Sequence, residues 1–193
     1  MKAIFVTGMA RSGTTIMAHV LLSHPEITAY VSGSENWLLE NDLMCSSRGI
    51  EHREEVLKQI KEINNTGYYA LFKRPWIHKH YKELKEYFPD AYYIIMNRNC
   101  KDILDSWKRF GGGHEKLNEE DYNIHQEYYK NFVKELGKDR CKVVQLEKFK
   151  ESPTGALVSI SRMLNIPYAY DISEVSENGH WDVNTFIRLY GEE

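Results

Sequence analysis

Cysteine is scarce in this chain, and long apolar runs are absent. Cys45, Cys100 and Cys141 are the three cysteines in 193 residues, with no Cys-x-x-Cys pair. That excludes a disulfide framework and reads as reduced thiols in a cytosolic protein. No apolar stretch approaches the ~18 residues that would cross a bilayer. The apolar run at the N-terminus is about five residues and ends in a loop, too short for a secretory signal. The eight histidines show no metal-ligand spacing. There is no excess of positive charge: the net charge of −3 argues against nucleic acid as a general partner but leaves room for a local basic pocket. Internal repeats and low-complexity segments are also missing.

What is present is a globular composition, 42% hydrophobic and 27% charged, in a length that suits one domain over 1–193. Strand-length apolar runs alternate with helical patterns, which predicts an α/β fold with a parallel sheet. Strands are expected at 2–7, 68–74, 91–97 and 141–147, with a short one at 27–31. Helices are expected at 14–23, 51–64, 78–87, 100–109, 119–137 and 153–164. His24-Pro25 and Phe88-Pro89-Asp90 stop two of them. Gly111-Gly112-Gly113 reads as a loop, with a lid hinge as the alternative.

The first strand runs directly into Gly8-Met9-Ala10-Arg11-Ser12-Gly13-Thr14-Thr15, and a helix follows. Strand, glycine-bounded loop and helix form the P-loop layout. The two glycines allow the turn, and amides from Arg11 to Thr15 together with the helix start can face one anion. Arg11 adds a charged fork, and Thr14 and Thr15 add hydroxyls. Two parts of a nucleoside triphosphatase are missing. No lysine follows Gly13, and no strand ends in the apolar-run-plus-Asp pattern that holds magnesium behind a P-loop. A ligand-free glycine turn is the plain alternative.

A second anion site is expected after the strand 91–97. Arg98 stands at its carboxyl end, where open α/β sheets bind ligands, and Ser106 lies eight residues on, about two turns into the next helix. Both can reach one phosphate; a surface ion pair and a solvent-facing serine are the alternative. With the loop, the two sites suggest a nucleotide bearing phosphates at both ends of its ribose.

These motifs resemble those of the sulfotransferases that use 3′-phosphoadenosine 5′-phosphosulfate (PAPS). Gly8 to Thr15 resembles their 5′-phosphosulfate loop, with Arg11 where many members have lysine and protein-tyrosine sulfotransferases have arginine. Arg98-Asn99-Cys100-Lys101-Asp102 with Ser106 resembles their 3′-phosphate motif. Leu71-Phe72-Lys73-Arg74-Pro75, Phe88-Pro89-Asp90-Ala91 and Val143-Val144-Gln145-Leu146-Glu147 follow in family order.

The resemblance implies a three-layer α/β/α P-loop fold with about four to five mainly parallel strands. It implies a metal-independent transfer of a sulfuryl group from PAPS to a hydroxyl or amine, leaving adenosine 3′,5′-bisphosphate. Gly8, Arg11, Ser12, Gly13, Thr14, Thr15, Arg98 and Ser106 would bind the donor. Lys73 and Arg11 would stabilise the leaving oxygen, and Glu35 would be the base, with Glu40 its rival. Glu35 as a first-turn helix acid is the alternative. Arg74 is a surface or substrate-facing cation. Trp37, Trp76 and Trp107 are candidates for an acceptor or adenine pocket, plain packing being the commoner use of tryptophan. Ser176 to Trp181 lacks the basic residues of the family's closing loop. The competing classes are a P-loop kinase and a non-catalytic nucleotide-binding module. The acceptor stays open among carbohydrate, tyrosyl peptide, lipid and small alcohol or phenol.

Overall fold

The computed structural model describes residues 3–29, 68–109 and 117–172. Five strands form one sheet: β1 (Ala3–Gly8), β2 (Ile27–Ala29), β3 (Tyr69–Lys73), β4 (Tyr92–Asn97) and β5 (Cys141–Gln145). Their spatial order is β2-β3-β1-β4-β5, and every pairing is parallel. Parallel strands covered on both faces read as continuous apolar runs, and β1 is buried at all six positions. This is the α/β fold expected.

Alternate residues of β1 feed two cores. On one face Phe5 stacks on Phe72 at 5.2 Å and on Tyr93 at 5.3 Å between ring centroids. Helices α2 (Tyr81–Tyr87) and α4 (Glu119–Leu136) cover this face through Leu84, Tyr129 and Phe132. On the other face Ile4 and Val6 meet Met17 and Leu21 of α1 (Thr14–Leu22) and Leu157 and Ile160 of α6 (Pro153–Leu164). Helix α3 (Cys100–Arg109) sends Ile103 into the first core.

Local signals explain the helix ends. At the start of α4, Asn118 Oδ1 accepts from Asp121 N, and Asp121 returns a carboxylate to Asn118 N, a complete capping box. Pro153 opens α6, and Asn165 closes it in the left-handed region at φ 55°.

Two expectations need correction. The strand expected over 141–147 stops at Gln145, and α5 (Leu146–Glu151) begins at once. Strand β5 is an edge strand whose one partner, β4, ends opposite Gln145 at Asn97. Leu146 keeps the apolar run buried by turning inward as a helical residue, so Glu147 is not a strand end. The helix expected over 78–87 is a 3-10 turn at Ile77–His80 followed by α2. The expected helix at 51–64, together with Glu35, Glu40, Trp37, Cys45, the triple glycine and Ser176 to Trp181, lies outside the described residues. No helix among the described residues is long and apolar enough to cross a membrane.

Candidate active site

Sheet register brings the functional residues to one edge. Gly8 pairs with Met96, Val6 with Lys73 and Asn97 with Gln145, so the loops after β1, β3, β4 and β5 emerge together. This carboxyl edge is where open α/β sheets place ligands.

The loop after β1 is clamped from several sides. Trp76 N donates to Gly8 O at 2.8 Å, and Met9 N donates to the buried Tyr129 hydroxyl at 2.7 Å. Burial raises the pKa of that phenol, keeping it protonated. Gly8 is needed because a Cβ there would stand 2.4 Å from the Met96 carbonyl oxygen. Gly13 has φ 93°, and a Cβ there would meet Leu146 Cδ1 at 2.7 Å. Arg11 adopts φ 69°, a left-handed conformation that a bulky residue holds only under constraint.

Arg11 Nε donates to Ser106 Oγ at 3.0 Å, and Arg98 Nη1 donates to Arg11 O at 3.1 Å. The loop and the β4–α3 turn are thereby one unit. Glu147 Oε1 accepts from Asn99 N and Asn99 Nδ2, both at 3.2 Å, and Asp102 N donates to Asn99 Oδ1 at 2.9 Å. Arg98 Nε stands 4.0 Å from both Asp102 and Glu147, which aim the guanidinium without neutralising it at contact distance.

Arg11, Gly13, Thr14, Thr15, Arg98 and Ser106 all line one cavity of about 310 Å³. Arg109 and Lys150 line it too, so four cationic side chains face the same space. Sequence reasoning missed these two. Arg109 stands three residues beyond Ser106, on the same face of α3, and that spacing was the available signal. Lys150 had none, since it belongs to the unforeseen helix α5. Burial first, then repulsion by Arg98 and Arg109, lowers the pKa of Arg11. An anion entering the cavity relieves that repulsion.

Three expected residues are not on this wall. Ser12 is buried; its N–H is spent on Met9 O at 3.1 Å, and its Oγ has no hydrogen-bond partner. The turn itself uses the Ser12 amide, while Arg11, Gly13, Thr14 and Thr15 line the cavity. Gly8 lies beneath the loop as a close-approach point. Lys73 is buried at the end of β3, and its charge, after burial, helps push His19 down to about 4.

The donor set suits a multiply charged phosphate ester: charged forks, hydroxyls and a helix start converge on one cavity. Among the described residues no group of three or more His, Cys, Asp or Glu is placed to hold a metal ion.

Comparison with known proteins gives the family and the fold. A protein-tyrosine sulfotransferase of Drosophila melanogaster is 25% identical over 197 residues, covering 87% of this chain; the chain spans only 39% of that relative. The sulfotransferase domain of the curacin biosynthetic pathway has a similar fold, with TM-score 0.64, 17% identity and coverage of 93% of this chain and 78% of the other. A sulfotransferase from Alicyclobacillus acidocaldarius gives TM-score 0.59 and 15% identity, covering 97% of this chain and 90% of the other. Residues 1–151 match the family described as the sulfotransferase domain, and the chain belongs to that family.

Proposed function

We propose that the chain moves a sulfuryl group from PAPS to a hydroxyl or amine of an acceptor. One observation carries this reading: the P-loop residues and the Arg98–Ser106 pair line the same cavity, with Arg109 and Lys150 adding charge. A nucleotide with anions at both ends of one ribose matches two anion sites that share a wall.

In this reading Arg11, Gly13, Thr14 and Thr15 hold the 5′-phosphosulfate end. Arg98 and Ser106 hold the 3′-phosphate, with Arg109 one turn along α3. PAPS supplies the activated sulfuryl group. The chain supplies position and fixed charge, which such transfers depend on more than on covalent help. Arg11 serves both ends, since its backbone shapes the loop while its Nε fixes Ser106. Lys73 and Arg11 offer positive charge for the leaving oxygen, and Glu35 is the proposed base.

The 3′-phosphate supplies the test. Adenosine 3′,5′-bisphosphate should bind at least ~100-fold more tightly than adenosine 5′-monophosphate, as expected for two or more charge-assisted hydrogen bonds. Ser106→Ala should shrink that ratio, weakening the bisphosphate more than the monophosphate, which feels only the loss of the Arg11 Nε–Ser106 contact. Equal affinity for the two nucleotides would show that Arg98 and Ser106 do not read a 3′-phosphate.

A further inference from the structure

The last ladder pair between β1 and β4 is Gly8 with Met96. Arg11 and Arg98 come after it, on loops beyond that pairing. They are like charges, close enough that Arg98 helps to lower the pKa of Arg11. An empty site built from such charges tends to spread. Something must hold the loops at the separation that the ligand needs.

Helix α4 reaches both loops. The Tyr122 hydroxyl donates to the Arg98 carbonyl oxygen at 3.2 Å. Gln126 Nε2 donates to Asn97 Oδ1 at 3.0 Å, and Asn97 Nδ2 returns a longer contact to Gln126 Oε1 at 3.5 Å. The Tyr129 hydroxyl accepts from Met9 N at 2.7 Å. His125 extends the same pattern through a relay: its Nδ1 meets His78 Nε2 at 2.7 Å, and His78 Nδ1 meets Thr7 Oγ1 at 3.2 Å, next to Gly8.

Positions 122, 125, 126 and 129 follow the i, i+3, i+4, i+7 spacing of one helix face. A core helix would carry apolar residues there. This one does so only further along, where Phe132 and Leu136 enter the core. The polar half of the face meets the loop after β1 at one end and the turn after β4 at the other. A helix is stiff and rises 1.5 Å per residue, so the ties at Tyr122 and Tyr129 are held about 10 Å apart along its axis.

We propose that this face of α4 is the spacer of the donor site. Tyr129 is a positioning residue for the 5′ end of the nucleotide, acting through the Met9 amide. Tyr122 and Gln126 are positioning residues for the 3′ end, acting through the backbone that carries Arg98. None of the three lines the donor cavity itself. The proposal rests on the reading of that cavity as a site for a nucleotide with anions at both ends of one ribose.

The test is calorimetry with adenosine 5′-monophosphate and adenosine 3′,5′-bisphosphate. Tyr122→Phe and Gln126→Leu should each weaken the bisphosphate by about 3- to 10-fold, as expected for one net hydrogen bond, and leave the monophosphate within about twofold. Tyr129→Phe should weaken both nucleotides by the same factor, also about 3- to 10-fold, because both carry the 5′-phosphate. Its ring stays packed on His78, at 4.5 Å between centroids, so the variant should still melt cooperatively. In an Arg98→Ala background, Tyr122→Phe should change bisphosphate affinity by less than about twofold, whereas Tyr129→Phe should keep its full effect. If Tyr129→Phe does not fold, the Tyr122–Arg98 cycle decides. A packing role alone would lower the melting temperature and leave both affinities as they were, and that result overturns the proposal. An effect of Tyr122→Phe that survives the loss of Arg98 overturns it too, as does an effect of Tyr129→Phe confined to the bisphosphate. In each of these cases the donor reading stands, since the parent binds the bisphosphate. Failure of the parent to bind it overturns the donor reading and the proposal together.

Discussion

Arg11→Ala should slow transfer from PAPS by about 10²- to 10³-fold, the usual loss when one preorganised charge facing a reacting anion is removed. The side chain is a cation on the cavity wall and the donor that holds Ser106. Both functions end with the truncation. The contact from Arg98 reaches the Arg11 backbone oxygen, so the variant keeps it and the loop stays tied to the β4–α3 turn. Arg11→Lys should fall between, because lysine restores a point charge but not the planar fork. Arg11→Gly provides a useful contrast. Glycine accepts the φ of 69° without strain, so this variant should be as slow as alanine and at least as stable. Release of adenosine 3′,5′-bisphosphate from PAPS, with an acceptor found by screening, measures all three. An Arg11→Ala enzyme within about threefold of the parent rate would remove Arg11 from the charge work.

Gly8→Ala carries the largest expected effect on stability. The added Cβ would stand 2.4 Å from both the Met96 carbonyl oxygen and Ser12 Oγ. The first belongs to the interior strand β4 and cannot yield without breaking its pairing with β1. The second lies inside the loop, so relief on that side deforms the anion cradle. We expect a loss of about 3 kcal/mol or more, the upper end of overpacking costs, and a midpoint lower by roughly 6–12 °C. Adenosine 3′,5′-bisphosphate should no longer restore the melting temperature. Gly155→Ala is the control: nothing lies within 4 Å of a Cβ at that position in α6. It should be neutral or stabilising by about 0.5–1 kcal/mol. Equal melting temperatures for the Gly8 and Gly155 variants would mean that the loop can move aside cheaply.

Much of this architecture was legible because its strands are buried on both faces. Ala3 to Val6 and Tyr93 to Met96 read as unbroken apolar runs, and unbroken runs alternating with helices mean a parallel sheet. The loop was legible from Gly8 and Gly13, and the second anion site from the interval between Arg98 and Ser106. Other features depend on tertiary contacts that no local pattern carries. Leu146 looked like one more strand residue; only its packing on Gly13 shows why the chain turns helical there. Ser12 was read as an anion ligand from its place in the loop's run of amides, and only the folded turn shows its amide bonded to Met9 O. Arg109 and Lys150 became site residues only once α3 and α5 were set beside the same cavity. His78 and His125 are 47 residues apart, and their contact is a property of the packed fold.

The measurement that bears most directly on the central claim is calorimetric titration with adenosine 3′,5′-bisphosphate in EDTA, beside ATP with magnesium. Four cationic side chains on one wall can neutralise the bisphosphate themselves, so tight metal-free binding is expected, weakened at least ~10-fold by Arg98→Ala. Preference for ATP with magnesium, or bisphosphate binding indifferent to Arg98, would contradict a donor site built from these residues.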